Sequence, residues 1–118
     1  MTKTRIVLLL SVAVALLLWA VPATAGTRAT VVTVTAGKPS EFKFTLSRSS
    51  VPHGAVTFKI KNAGTVPHNF KIGGKTSPMV NPGATKTITV TLKAGKAPYL
   101  CTVPGHAAAG MKGVLTVK

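Results

Sequence analysis

Four segments of this chain alternate apolar and polar residues with a period of two, and that pattern constrains its fold more than any other feature. Val32 and Val34 alternate with Thr33 and Thr35, and Phe42, Phe44 and Leu46 with Lys43 and Thr45. Val56, Phe58 and Ile60 alternate with Thr57, Lys59 and Lys61, and Ile88, Val90 and Leu92 with Thr87, Thr89 and Thr91. Period two sends successive side chains to opposite faces of a strand, and β-branched and aromatic residues suit a half-buried pleat. Turn signals lie between these segments: Ala36-Gly37-Lys38-Pro39, Val51-Pro52-His53-Gly54, Asn62-Ala63-Gly64, Gly73-Gly74, Asn81-Pro82-Gly83 and Ala94-Gly95-Lys96. Seven or eight short strands at this spacing predict an all-β antiparallel Greek-key sandwich or barrel.

Residues 1–25 stand outside the pattern. Thr2-Lys3-Thr4-Arg5 is a basic start, Ile6 to Ala20 is apolar, Pro22 breaks the run, and Ala23-Thr24-Ala25 offers small residues where a leader peptidase needs them. This reads as a signal peptide removed before Gly26, leaving one domain over residues 26–118. The alternative is an uncleaved membrane anchor, since the run approaches the ~20 apolar residues of a spanning helix. Either way the domain is exported, to a periplasm or an exterior surface. Cleavage removes Lys3 and Arg5 and leaves 93 residues at a formal charge of +12. A domain of that size buries somewhat more than about 60% of its unfolded surface, and a bound metal would add to its stability.

Composition then removes most enzyme chemistry. The whole chain carries 15 Lys plus Arg against a single acid, Glu41, with three His and one Cys. Paired-carboxylate hydrolysis, calcium binding, magnesium-dependent phosphoryl transfer and a Ser-His-Asp triad all need acids this chain lacks. One cysteine permits neither an internal disulfide nor a four-cysteine zinc site. An unpaired thiol in an exported protein is a partner-linked cysteine, a nucleophile or a metal ligand.

Two segments bear on that choice. In Val66-Pro67-His68-Asn69-Phe70-Lys71-Ile72, alternation places His68 on the face of Phe70 and Ile72, directed inward. Alone, it would read as a core histidine satisfied by backbone carbonyls. In Tyr99-Leu100-Cys101-Thr102-Val103-Pro104-Gly105-His106-Ala107-Ala108-Ala109-Gly110-Met111, a strand ends near Cys101, and His106 and Met111 follow at five-residue steps. A thiolate, two imidazoles and a weak thioether form the donor set that suits copper in electron transfer. Competing readings remain. Cys101 could be an inert buried thiol or half of a Cys–His nucleophile, although a strand provides no helix terminus to lower its pKa. Met111 could be core filler, and Met79 is a second thioether. His53, between Pro52 and Gly54, reads as a solvated turn residue, and Tyr99 as part of the core.

The Cys-x4-His-x4-Met loop, with the His68-Asn69 pair upstream, resembles the cupredoxins, the small type 1 blue copper proteins, and is most like their plastocyanin, azurin and auracyanin group. The resemblance extends over nearly all of the mature chain, including Gly54 to Asn62 and the closing Gly113-Val114-Leu115-Thr116-Val117 segment. It implies one copper ion with His68, Cys101 and His106 as equatorial ligands and Met111 as the axial one. It also implies that Asn69 ties the ligand loop at Thr102 to the neighbouring strand, with the Asn69 N–H donating to the Cys101 sulfur. The expected function is a monomeric, non-enzymatic carrier of single electrons between larger redox proteins by Cu(I)/Cu(II) cycling. The alternative is a module for copper delivery or storage. The strong positive charge favours partners with acidic docking surfaces, or association with an anionic membrane surface. It lacks the clustered basic and aromatic residues of a nucleic-acid site, and no small-molecule substrate is expected.

Overall fold

The structure is a computed structural model that describes residues 13, 15–19 and 29–118. The basic start and the Ala23-Thr24-Ala25 site lie outside the described residues. Leu16, Leu17, Leu18 and Trp19 are exposed and take no part in the core.

Nine strands form among the described residues: β1 (Thr30–Ala36), β2 (Phe44–Leu46), β3 (Ser50–Val51), β4 (Gly54–Asn62), β5 (Lys71–Ile72), β6 (Lys75–Thr76), β7 (Thr85–Leu92), β8 (Gly95–Leu100) and β9 (Lys112–Val117). No helix occurs among the described residues. The strands make two sheets, ordered β2-β1-β4-β7 and β3-β9-β8-β5-β6. The inward faces are those read from the alternation. Val32 and Val34, Val56, Phe58 and Ile60, and Ile88, Val90 and Leu92 meet Val51, Ile72, Leu115 and Val117 of the other sheet in one buried cluster. Each fully buried aliphatic or aromatic side chain there contributes roughly 1.5–3 kcal/mol relative to exposure. The outward positions of β4 are Ala55, Thr57, Lys59 and Lys61, and the exposed positions of β7 are threonines and Lys86.

The strands exceed the seven or eight expected, and two further details differ. The sheets are mixed, because β1 pairs β4 in parallel and β3 pairs β9 in parallel, while the other pairs are antiparallel. Alternation specifies faces and says nothing about direction. Phe42 does not continue the inward row of Phe44 and Leu46; it precedes β2 and is 38% exposed. Strand β8 carries no alternation, and its Pro98 lies beyond the two residues, Tyr99 and Leu100, that β5 pairs. Proline lacks the N–H a central ladder needs and is tolerated where one side is unpaired.

The topology defines one end of the sandwich. The parallel β1–β4 pair ends with Ala36 beside Asn62. Strand β8 ends one residue before Cys101, and β9 begins one residue after Met111. Ala36, Cys101 and Met111 pack there as a small second cluster, flanked by Phe44 and Val103.

Candidate metal centre

His68 is delivered by a locked turn. Asn62, fully buried at the end of β4, donates through Nδ2 to the carbonyls of Val66 and Val80, both at 2.8 Å. Its Oδ1 accepts from Gly64 N at 2.8 Å. Pro67 follows, and His68 then pairs with Val80 in an isolated antiparallel bridge, with Val80 N donating to His68 O at 2.7 Å and His68 N to Val80 O at 3.2 Å. His68, Phe70 and Ile72 are all buried, as the alternation predicts.

The second segment is a closed loop. Cys101 N donates to Met111 O at 3.1 Å, which clasps its two ends together. Inside, His106 N donates to Val103 O, Ala109 N to Gly105 O and Met111 N to His106 O, all within 3.0–3.1 Å. The chain can reverse at Gly110 because its φ is 111°, and a Cβ there would meet Lys43 Nζ at 2.8 Å. Cys101 and Met111 are buried, whereas His106 is half-buried at the rim. The displaced Phe42 lies edge-on against the His106 ring, with centroids 4.9 Å apart.

These two segments bring the predicted donors together. His68 Nδ1 lies 3.1 Å from His106 Nδ1, and Cys101 Sγ lies 3.6 Å from His106 Nδ1. The ligating atoms of His68, Cys101 and His106 fall within 4.8 Å of one another. Donors about 2.0–2.3 Å from a shared cation at near-tetrahedral or trigonal angles sit roughly 3–4 Å apart, so the two close separations fit a metal ion. Met111 borders the same point, packed with Cys101. Met79, the rival thioether, is 45% exposed on the surface. His53 is an exposed turn residue whose ring Nδ1 bonds Lys118 O at 2.9 Å.

Electrostatics favour neutral donors at the rim. Burial, followed by the proximity of His68, lowers the His106 pKa from its ordinary value, while Glu41 opposes this. An imidazole kept neutral presents a lone pair rather than a proton. Glu41 itself sits on the other side of His68, which the sequence did not reveal. His68 Nε2 donates to Glu41 Oε1 at 2.8 Å. Donation from Thr65 N and then from His68 are the main causes that lower the Glu41 pKa to about 2. The one available signal was that a buried imidazole needs a partner and the chain has a single carboxylate.

Asn69 links the two segments through its side chain. Its Nδ2 donates to Thr102 Oγ1 at 2.6 Å, and Thr102 N donates to its Oδ1 at 2.7 Å. The expected donation from Asn69 N to the Cys101 sulfur is not formed; the sulfur's polar contact is His106 Nδ1. A surface cavity lined by residues including Lys71, Leu92, Lys93, Lys96 and Leu100 contains none of the four donors.

Comparison with known proteins agrees with this architecture. Residues 8–117 match the family model for a cupredoxin-like domain. No curated protein sequence is significantly similar to the chain. Among solved structures, dithionite-reduced auracyanin from Roseiflexus castenholzii is 26% identical, with a TM-score of 0.63 over 79% of this chain and 99% of that one. Rusticyanin from Thiobacillus ferrooxidans is 26% identical, with a TM-score of 0.57 over 75% and 76% of the two chains. A further structure, described as that of the copper protein rusticyanin, is 27% identical, with a TM-score of 0.59 over 75% and 76%. With the family match spanning nearly the whole sequence and the two-sheet fold beneath it, the chain belongs to the cupredoxin-like domain family.

Proposed function

We propose that the protein is an exported electron carrier in which His68, Cys101 and His106 would hold one copper ion, with Met111 as a weak fourth ligand. The observation that carries this reading is the convergence of His68 Nδ1, His106 Nδ1 and Cys101 Sγ at one end of the sandwich. Bound there, copper supplies a one-electron Cu(I)/Cu(II) couple. The protein's own residues account for the rest. The Cys101 thiolate and Met111 thioether favour the reduced ion, and the imidazoles accept either state. The clasp from Cys101 N to Met111 O and the Asn69–Thr102 pair hold the donors in place across the charge change, which keeps reorganisation small. Buried Cys101 and Met111 exclude water from one side, while His106 and the small residues Ala107, Ala108 and Ala109 form the rim where a partner can approach.

Redox partners with acidic docking surfaces fit the net charge, +14 on the full sequence and +12 once Lys3 and Arg5 are removed. Thiol nucleophilic catalysis is disfavoured because Cys101 is buried and its sulfur contacts His106 inside the donor cluster, not in a cleft. The auracyanin and copper-protein rusticyanin structures support the copper reading, and the exposed apolar Leu16–Trp19 supports a leader or anchor directing export. We read the mature protein as residues 26–118 and as a monomer. Voltammetry of protein loaded with one equivalent of copper is the test. A reversible one-electron wave supports the carrier, whereas stoichiometric binding without a reversible wave would favour copper delivery or storage.

A further inference from the structure

The only acid in the chain lies where a metal-bound histidine would need a partner. Glu41 sits in the loop between β1 and β2, closed by Gly37 N donating to Lys43 O at 2.9 Å. That loop presses on the turn after β4. A Cβ on Gly37 would meet the backbone N and Cα of Gly64 at 2.6 Å, and one on Gly64 would meet the Glu41 carboxylate carbon at 2.9 Å. The absence of both side chains admits the carboxylate to the segment that feeds His68. There it accepts from Thr65 N at 2.9 Å, Thr65 Oγ1 at 3.0 Å, Val66 N at 3.2 Å and His68 Nε2 at 2.8 Å.

The direction of the last bond matters. An ionised carboxylate can only accept, so His68 Nε2 carries the proton, and in the neutral imidazole that a metal requires Nδ1 carries the lone pair. Nδ1 is the atom that faces His106 Nδ1 at 3.1 Å. Glu41 is the only acidic residue in the sequence, so beside the Cys101 thiolate it supplies the one side-chain carboxylate near a cationic centre. We infer that Glu41 is a positioning residue for the metal site: its carboxylate fixes His68 in the Nε2–H tautomer with Nδ1 open for the metal, and its negative charge lowers the reduction potential. Outer hydrogen-bond partners of this kind orient the ligand and raise its basicity.

This inference rests on the copper reading for its second part only, and the test separates the two. Two-bond proton–nitrogen NMR of the copper-free protein reports which ring nitrogen of His68 is protonated. Nε2–H is expected in the parent protein, with a mixture of tautomers in Glu41→Ala. In copper-loaded protein, Glu41→Gln keeps the shape and removes the charge. It is expected to raise the reduction potential by the equivalent of a roughly tenfold change in the Cu(II)/Cu(I) affinity ratio, about 59 mV for one electron. Glu41→Ala is expected to weaken copper binding by roughly 10–100-fold. A His68 protonated at Nδ1 in the copper-free parent protein would overturn the positioning role. So would variants that lower only the melting temperature and leave potential, affinity and copper hyperfine coupling unchanged. Nε2–H in a protein that binds no copper would overturn the copper reading and leave the positioning role standing.

Discussion

The Asn69–Thr102 pair makes a sharp claim about how the ligand loop is anchored. Two hydrogen bonds at 2.6 and 2.7 Å cross from the His68 segment to the residue after Cys101, and Asn69 is only 7% exposed. Each such bond contributes about 1 kcal/mol net. Asn69→Ala removes both and is therefore expected to cost about 2 kcal/mol. Thr102→Val removes only the hydroxyl partner and keeps the backbone donation, so about 1 kcal/mol is expected. The double variant should cost no more than Asn69→Ala alone, because the second change finds nothing left to break. For a domain of this size 1 kcal/mol shifts Tm by roughly 4–8 °C. Thermal unfolding of the copper-free proteins, followed by circular dichroism, should then show losses of about 8–16 °C for Asn69→Ala and half that for Thr102→Val. An Asn69→Ala protein melting within about 2 °C of the parent, or additive losses in the double variant, would refute the account of the anchor.

Three further expectations follow from the same geometry. Met111→Leu nearly conserves volume in a buried site, an exchange that costs under about 1.5 kcal/mol; a copper-loaded variant should stay coloured and shift its potential upward in voltammetry. Saturating copper should raise Tm by the linkage energy, about 2.7 kcal/mol at a free metal concentration of 100 times Kd, or roughly 10–20 °C by the conversion above; differential scanning calorimetry with and without a chelator measures it. Ala108→Glu puts a negative charge on the exposed rim beside His106 and should slow electron transfer with an acidic partner in stopped-flow mixing. An unchanged rate would argue that partners dock elsewhere.

Much of the fold was legible because β1, β4 and β7 bury one face and solvate the other. Val32, Val34, Phe58, Ile60 and Val90 could therefore be assigned to the core from period alone. The parallel pairings were not legible, since a strand's pattern reads the same in either direction. Phe42 shows the limit of the method: its alternation with Phe44 is genuine, but the chain leaves the sheet before β2 and the ring goes to His106. At the site, Cys101, His106 and Met111 were visible because one short loop carries all three. His68 was visible because its motif places it inward. Glu41 is 27 residues from His68 in sequence and shares no motif with it, so only the contact of the two loops reveals it. Asn62 was read as a turn residue, and its role in holding Val66 and Val80 emerges only from the packing.

The central claim is that Cys101, with His68 and His106, binds copper as a type 1 centre. The most direct measurement is the visible spectrum of protein given one equivalent of Cu(II), compared with its Cys101→Ser variant. The account predicts an intense thiolate-to-copper band in the parent protein that is absent from the variant. A colourless parent protein, or a band that survives loss of the sulfur, would contradict it.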